Sequence, residues 1–446
     1  MRFLVGYYRW SAAVGAALAL SAPLVASAAE IATGESLELS LYQALDIAMR
    51  SNRKLIVARH AVASARHGVA GATATLWPQL ELGTGLSSSR PFPAAGPSTH
   101  LGPSLALSYD LGTDGSRGAN HNVAASRLAI SELEEALQLL QIKQETVNAY
   151  YDSLAADEAV RIAQAAVKNA EIGEKAALAL RQAGMGTDFD IQRARLQTAI
   201  ANQELNSAIG DQHVFRRSLA RVLGLPQGAD VFASDRVEGA GSWTLTLDET
   251  IRKCLANRPD LRLSERQVQE AEAQRQLAES GRRPRSGVQL SVDYLAALQG
   301  PPGSPTILDA ATAARGSGLG YSIVGSVQYP LFEGGAAAAA VRQSEIAIDS
   351  ARVGLEDRAL ELRLRVERAY TLLEASRKNL ETSKVALETA TAGLASARLR
   401  FESGIGNQTE VIDAENDLKR SEGNRVRAVL DYNRALAALR FLVAER

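Results

Sequence analysis

One cysteine, Cys254, stands in 446 residues, so no internal disulfide can brace the fold, and a packed, inert thiol is the simplest reading of it. Aromatic residues are scarce, at 5 %, while Ala, Leu, Glu, Gln and Arg are abundant, the composition of long helices. Formal net charge is only −1, which leaves no basic surface for nucleic acid. The five histidines are scattered; His60 and His67 stand seven apart, too far for a helical metal pair at i and i+4. Gly316-Ser317-Gly318-Leu319-Gly320 imitates a nucleotide loop, but no phosphate-binding architecture surrounds it, and it reads as a flexible loop tip. No catalytic constellation appears, so neither an enzyme nor a cofactor is expected. Beyond residue 28 no stretch approaches the roughly 18 apolar residues of a membrane helix. Any bilayer crossing must be made by strands.

What is present begins with a secretory pattern. Arg2 and Arg9 precede an apolar run from Ser11 to Val25, and Ala26-Ser27-Ala28 forms an A-x-A cleavage site. No cysteine follows that site, so a lipid anchor is not expected. Residues 1–28 are read as an export signal, 29–242 as a first structural repeat and 243–446 as a second.

The rest is organised by a seven-residue rhythm. Ala149, Ala156, Ala163, Ala170 and Ala177 are spaced by seven, and 220 positions on stand Ala369, Ser376, Ser383, Ala390 and Ala397, again all small. Three residues before each of the second set run Val366, Leu373, Leu380, Leu387 and Leu394. A heptad sustained this long is a coiled-coil seam, where large side chains of one helix fill holes on its neighbour. The chain therefore carries very long, laterally packed helices, twice.

Taken in order, Leu39-Ser40-Leu41 opens a helix with Ser40 as N-cap and Gln43 three residues on, and Pro78 closes it after about Leu76. Two alternating runs follow, about Gln79 to Ser87 and Pro103 to Leu111, with Leu105, Leu107, Tyr109 and Leu111 on one face. Ser88 to Gly102 between them is a Ser-, Pro- and Gly-rich hairpin loop. A helix from about Asn120 to Gln182, roughly 95 Å long at 1.5 Å per residue, is broken by Ala183-Gly184-Met185-Gly186-Thr187. A second long helix runs from Asp188 to Leu223. Gly224 to Ser242 is a linker, and the pattern recurs. Leu245-Thr246-Leu247 repeats Leu39-Ser40-Leu41 at an offset of 206, whereas Tyr329 repeats Tyr109 at 220, so an insertion falls in the second hairpin loop, about Ala296 to Gly320.

Four strands of about nine residues can each span a bilayer when tilted. Four cannot close, and lipid does not tolerate an open sheet edge. Copies must share one barrel: two give eight strands, whose interior side chains fill it, and three give twelve, enough for a lumen. Trp77, Tyr109, Tyr329 and Phe332 near the strand ends would serve as interfacial aromatics. The alternative is a soluble periplasmic helical scaffold or adaptor carrying two small hairpins.

The duplicated Leu-Ser/Thr-Leu helix openings, the paired Tyr-x-Leu strand ends, and the Ala-Gly-Met-Gly-Thr and Ser-Gly-Ile-Gly-Asn turns resemble the TolC-like outer-membrane efflux proteins over essentially the whole mature chain. The resemblance implies a mainly α fold with a β-barrel contribution: a duplicated long-helix α-barrel plus four strands per chain, closing as a trimeric 12-stranded β-barrel. It implies a bacterial outer-membrane homotrimer with a long periplasmic extension, the exit duct of a tripartite efflux pump or type I secretion system. The implied partners are a periplasmic adaptor (membrane fusion protein), an inner-membrane transporter of RND, ABC or MFS type, and outer-membrane lipid, with no nucleic acid. Gly184, Met185, Gly186 and Thr187, with Gly404, Ile405, Gly406 and Asn407, would meet the adaptor's hairpin tips. The same glycines are also what a plain chain reversal needs.

Glu410 and Asp413 lie three apart on one helix face, where similar proteins place the acidic pair that rings the closed periplasmic mouth. Asp190 and Arg193 hold the equivalent sites in the first repeat. A solvated helix start, where acids favour the dipole, explains such residues equally simply. Where some relatives carry a latching arginine this chain has Gly406, so its closing contacts must differ. The cargo is not legible.

Overall fold

The computed structural model describes residues 36–89, 98–184, 186–226, 228–299 and 318–443. The expected export signal, Met185 and most of the second hairpin loop, including Gly316 and Ser317, lie outside the described residues. The element order is β1 (Ser36–Leu39), α1 (Leu41–Ser51), α2 (Arg53–Ala74), β2 (Gln79–Ser89), β3 (Ser98–Asp110), α3 (Ser116–Gln182) and α4 (Asp188–Leu223), then β4 (Asp230–Ala233), α5 (Leu247–Asn257), α6 (Pro259–Ser280), β5 (Arg285–Gln299), β6 (Gly318–Gln328), α7 (Ala336–Glu402) and α8 (Gln408–Leu442). The duplication is plain in the lengths: α3 and α7 each have 67 residues, and α4 and α8 have 36 and 35. Among the described residues no helix is long and apolar enough to cross a membrane.

The chain divides into two compact units that are not the two repeats. One gathers the segment up to Val57, Gln138–Arg258 and the chain from Leu362 on; the other gathers Ala58–Leu137 and Pro259–Glu361. Each unit takes parts of both repeats.

In the first unit the heptad seam is buried as its spacing requires. Ala149, Ala156, Ala163, Ala170 and Ala177 are all buried, as are Ser376, Ser383, Val366, Leu373 and Leu394. The main core joins Ile142, Val147, Tyr150 and Leu154 of α3 to Leu219 and Leu223 of α4, Leu55 of α2 and Leu430 of α8. Tyr150 is fully buried; its hydroxyl donates to the Leu39 carbonyl (3.0 Å) and accepts from the Asp235 N–H (3.2 Å). The Asp235 carboxylate in turn accepts from the first N–H of α1, that of Leu41 (2.9 Å).

Three expectations are corrected in these segments. The first helix is two helices. Asn52 turns out of α1, accepts from the Lys54 N–H at 2.9 Å to cap α2, and donates to the Val222 carbonyl at 2.7 Å. Its counterpart Arg258 precedes Pro259, whose ring disfavours helix at the residue before it. The linker after Gly224 is partly strand: β4 pairs in parallel with β1, Ser36 opposite Asp230 to Leu39 opposite Ala233, giving six strands among the described residues rather than four. Finally, α3 begins at Ser116 rather than Asn120, because Asp114 accepts from both the N–H and the hydroxyl of Ser116 and so starts the helix early. The Ser40–Gln43 capping box forms as the sequence indicates, and Thr246 with Glu249 and Thr187 with Asp190 form two more. Gly224 is obligatory: φ is +76°, and a Cβ would lie 2.2 Å from the Ser51 carbonyl oxygen.

The second unit is built on one antiparallel sheet in the order β2-β3-β5-β6. Its strands have 11, 13, 15 and 11 residues, longer than expected. Ladder pairing extends through the serines assigned to the first loop, with Ser89 opposite Ser98.

Candidate functional site: a two-faced sheet and two helix reversals

Strand registers line up the side chains of the sheet in rows. Leu80 faces Leu107, Leu107 faces Leu290, and Leu290 faces Ile323. The next row is Leu82, Leu105, Val292 and Tyr321. Successive residues of a strand alternate sides, so these rows share one face. All eight are exposed: 36–42 % on the inner strands and 67–80 % on the edge strands. The opposite face carries the rows Gln79, Ser108, Gln289, Val324 and Glu81, Ala106, Ser291, Ser322. Ser291 and Ser322 hydroxyls share a hydrogen bond at 2.9 Å. One face is thus a continuous apolar surface and the other is polar apart from Val324 and Ala106. Strands β2 and β6 each pair on one side only, among the described residues.

At the end where β3 leaves and β5 begins, the structure gathers the four expected interfacial aromatics. Trp77 (70 % exposed) precedes β2, Tyr109 lies opposite Val288, and Tyr329 and Phe332 (91 %) follow β6. Arg117 stands over the Tyr109 ring, 5.0 Å from its centroid, and donates to the Asp110 carbonyl. Burial alone would raise the carboxyl of Asp114, yet hydrogen bonds from the Ser116 N–H, its hydroxyl and Arg285 hold it below the usual carboxylate range. Sequence reading passed over Asp114; an acid between Gly112 and Ser116, just before a helix, was its only local signal.

The two helix reversals, in the first unit, have matching geometry. Gly184 and Gly404 adopt φ of +80° and +74°. The Gly186 N–H donates to the Leu180 carbonyl (3.1 Å) and the Gly406 N–H to the Arg400 carbonyl (2.8 Å). A Cβ on Gly186 would lie 3.0 Å from the Arg181 nitrogen, and one on Gly406 3.1 Å from the Arg400 Cβ. The left-handed turn therefore calls for Gly184 and Gly404, and the close approach favours glycine at 186 and 406. Thr187 caps α4, and its hydroxyl and N–H both donate to Asp190, at 2.6 and 2.9 Å. These two bonds hold the Asp190 carboxyl below its ordinary value. Asn407 caps α8 by accepting from the Glu410 N–H at 2.9 Å. Ile405 projects, 77 % exposed.

The residues expected at an acidic mouth divide in role. Glu410 is partly exposed and pairs with Arg400 at 3.5 Å, a partner sequence reading did not assign. Asp413 is exposed. Asp190 is engaged as a cap, and Arg193, the counterpart of Asp413, donates to the Thr409 hydroxyl at 2.7 Å, joining the starts of α4 and α8. Among the described residues no group of three or more His, Cys, Asp or Glu comes together as a metal site would require.

Known proteins share this pattern. Residues 44–225 and 250–445 match the family model of outer membrane efflux proteins. The chain is 28 % identical over 434 residues to protein CyaE of Bordetella pertussis, covering 90 % of this chain and 83 % of that one. It is 23 % identical over 415 residues to the pyoverdine export outer membrane protein OpmQ of Pseudomonas putida, covering 90 % and 84 %. The solved Campylobacter jejuni CmeC outer membrane channel superposes with a TM-score of 0.77 at 15 % identity, over 90 % of this chain and 85 % of that one.

Proposed function

The chain belongs to the outer membrane efflux protein family, and from that premise we propose how one copy contributes to the duct. The protein is an outer-membrane channel through which an efflux pump or type I secretion system exports its cargo. Members of the family act with periplasmic adaptors and inner-membrane transporters. Three copies join β6 of one to β2 of the next and seal a twelve-stranded barrel, the smallest closure of this sheet that leaves a lumen. The observation that carries this reading is the two-faced sheet with two bare edges. In hydrocarbon an unpaired edge costs several kcal/mol per group, and in water the apolar rows would stay wetted. Trimer closure removes both costs: apolar rows turn to lipid, the Gln, Ser and Glu81 rows turn to water, and Trp77, Tyr109, Tyr329 and Phe332 mark the interface. A soluble periplasmic scaffold leaves the apolar face uncovered.

The two reversals form the docking tips for the adaptor, through Gly184, Gly186, Thr187, Gly404, Ile405, Gly406 and Asn407. Glu410 and Asp413 from three copies ring the mouth with six carboxylates, and Arg400 takes the place of a latch absent at Gly406. Asp190 supports that ring by fixing the start of α4. OpmQ is named for pyoverdine export; the cargo of this duct and the class of its inner-membrane transporter (RND, ABC or MFS) are open to co-purification.

The test is the purified mature chain in a planar bilayer. Heat-resistant trimers should conduct, and Glu410→Gln with Asp413→Asn should relieve block by a trivalent cation such as hexaamminecobalt. Unchanged cation block rejects the acidic ring. A detergent-free, water-soluble single copy rejects the duct.

A further inference from the structure

Helix α8 differs from its neighbours in what it leaves to solvent. Past its first turn, its exposed positions as far as Asp431 are Asp413, Asp417, Arg420, Asn424, Arg427 and Asp431. They are spaced alternately four and three, the period of one straight line down a coiled-coil helix. Every one is polar or charged. Helix α4 contrasts with this, leaving Phe189, Leu196 and Ile200 exposed on one face at spacings of seven and four. An exposed apolar face needs protein to cover it; an unbroken hydrophilic line does not. The α8 line is therefore the water-facing one.

Along that line the charge reverses. Asp413 and Asp417 come first, next to the reversal. Arg420 follows about 4.5 Å past Asp417, and Arg427 about 10 Å beyond it, at 1.5 Å per residue. Arg420 is 74 % exposed, and among the described residues its ion pair is with Asp417, at 3.9 Å. Glu422 lies off this line, partly exposed; the next acid on the line, Asp431, is bound by Arg434 at 3.1 Å, and Arg434 also holds Asp152. Arg427 stands between two grooves: one of about 720 Å³, where Gln144, Asn148, Asn379 and Asn424 bring carboxamides and Asp431 the one lining acid, and one of about 550 Å³ that also carries Asp152, Glu204 and Asp211. On the first side the guanidinium stands among amides with the one carboxylate already paired; on the other, Arg434 holds Asp152 and Lys419 holds Glu204, so it is the amide-lined side that can receive acceptor-rich anions.

We propose that Arg420 and Arg427 form an anion way-station inside the acidic mouth, so that the duct favours cargo carrying several negative charges. This rests on the reading of the chain as a trimeric duct whose lumen α8 lines. In a trimer the pair supplies six guanidinium groups, enough to concentrate multivalent anions locally.

Inorganic tripolyphosphate, added to purified trimers in a planar bilayer from the side of the helical extension, is the probe. Wild type should show tripolyphosphate block. Arg420→Gln with Arg427→Gln should weaken that block about tenfold and move the reversal potential in a KCl gradient toward cation selectivity. Arg420→Lys with Arg427→Lys, keeping the charge, should retain most of it. Glutamine variants that form heat-resistant trimers, conduct, and are blocked as wild type is overturn the way-station while leaving the duct standing. Wild-type protein that yields no trimer and no conductance overturns the duct, and the way-station with it.

Discussion

Tyr150 shows how much one side chain can hold in place. Its ring is sealed from water, and burial, the largest influence, pushes its phenol far above the ordinary tyrosine value, so the hydroxyl stays protonated at any working pH. That neutral hydroxyl serves as donor to Leu39 and acceptor from Asp235, joining the end of β1 to the segment after β4. Phenylalanine would fill the same space but leave the Asp235 N–H without this partner, while the Leu39 carbonyl would keep the Ser234 N–H, at 3.0 Å. One orphaned group of this kind costs about 1–3 kcal/mol. Tyr150→Phe is therefore expected to destabilise detergent-solubilised protein by that amount, seen as a lower denaturation midpoint with no loss of secondary structure by circular dichroism. A midpoint equal to wild type means that water satisfies the freed N–H. The sequence pairs Tyr150 with Tyr370 by the 220-residue offset but offers no hint of this bond, because its partners stand 111 and 85 positions away. The opposite holds for Gly184 and Gly404. A glycine between a long heptad helix and a capping Thr or Asn declares its left-handed turn from local order alone.

At the scale of elements, legibility follows the range of the forces. Helix α4 was legible at both ends, since Gly186-Thr187 and Gly224-Leu225-Pro226 are local stop and start signals. The break at Asn52 was not, because an asparagine turns out of a helix only when something rewards it, here the Val222 carbonyl far along the chain. The repeat did hold a clue: Pro259 follows the residue equivalent to Asn52. Strands of four residues pairing in parallel, as β1 and β4 do, lie below what alternation can reveal. The docking role of the reversals can be tested at this scale too. Proline fixes φ near −65°, whereas Gly184 and Gly404 need +80° and +74°. Gly184→Pro with Gly404→Pro should distort both tips and abolish efflux, while trimers, held by the sheet and the heptad seams, persist in the outer membrane. Cells carrying that variant and tolerating drug or metal as wild type does would remove the tips from adaptor docking.

For the whole molecule, repeat and compact unit are different divisions. Strand β3 of the first repeat pairs with β5 of the second, so the sheet exists only when both halves of the chain contribute. The same sheet sets the sharpest test of the duct. Leu290 and Ile323 are paired across β5 and β6 on the apolar face; Ser291 and Ser322, one residue along, are paired on the polar face. Period-two alternation makes these neighbours opposites: one pair should meet lipid and the other the lumen. Arginine facing lipid near the bilayer midplane costs about 2–4 kcal/mol per site, whereas arginine in a water-filled lumen stays hydrated. Leu290→Arg with Ile323→Arg should therefore lose the heat-resistant trimer and its partition into the outer membrane. Ser291→Arg with Ser322→Arg should keep both and shift single-channel selectivity toward anions. Fractionation and gel mobility read the first result, and planar-bilayer recording the second. If both double variants assemble alike, or both fail alike, the sheet does not separate lipid from water, and the barrel built from three copies of it falls.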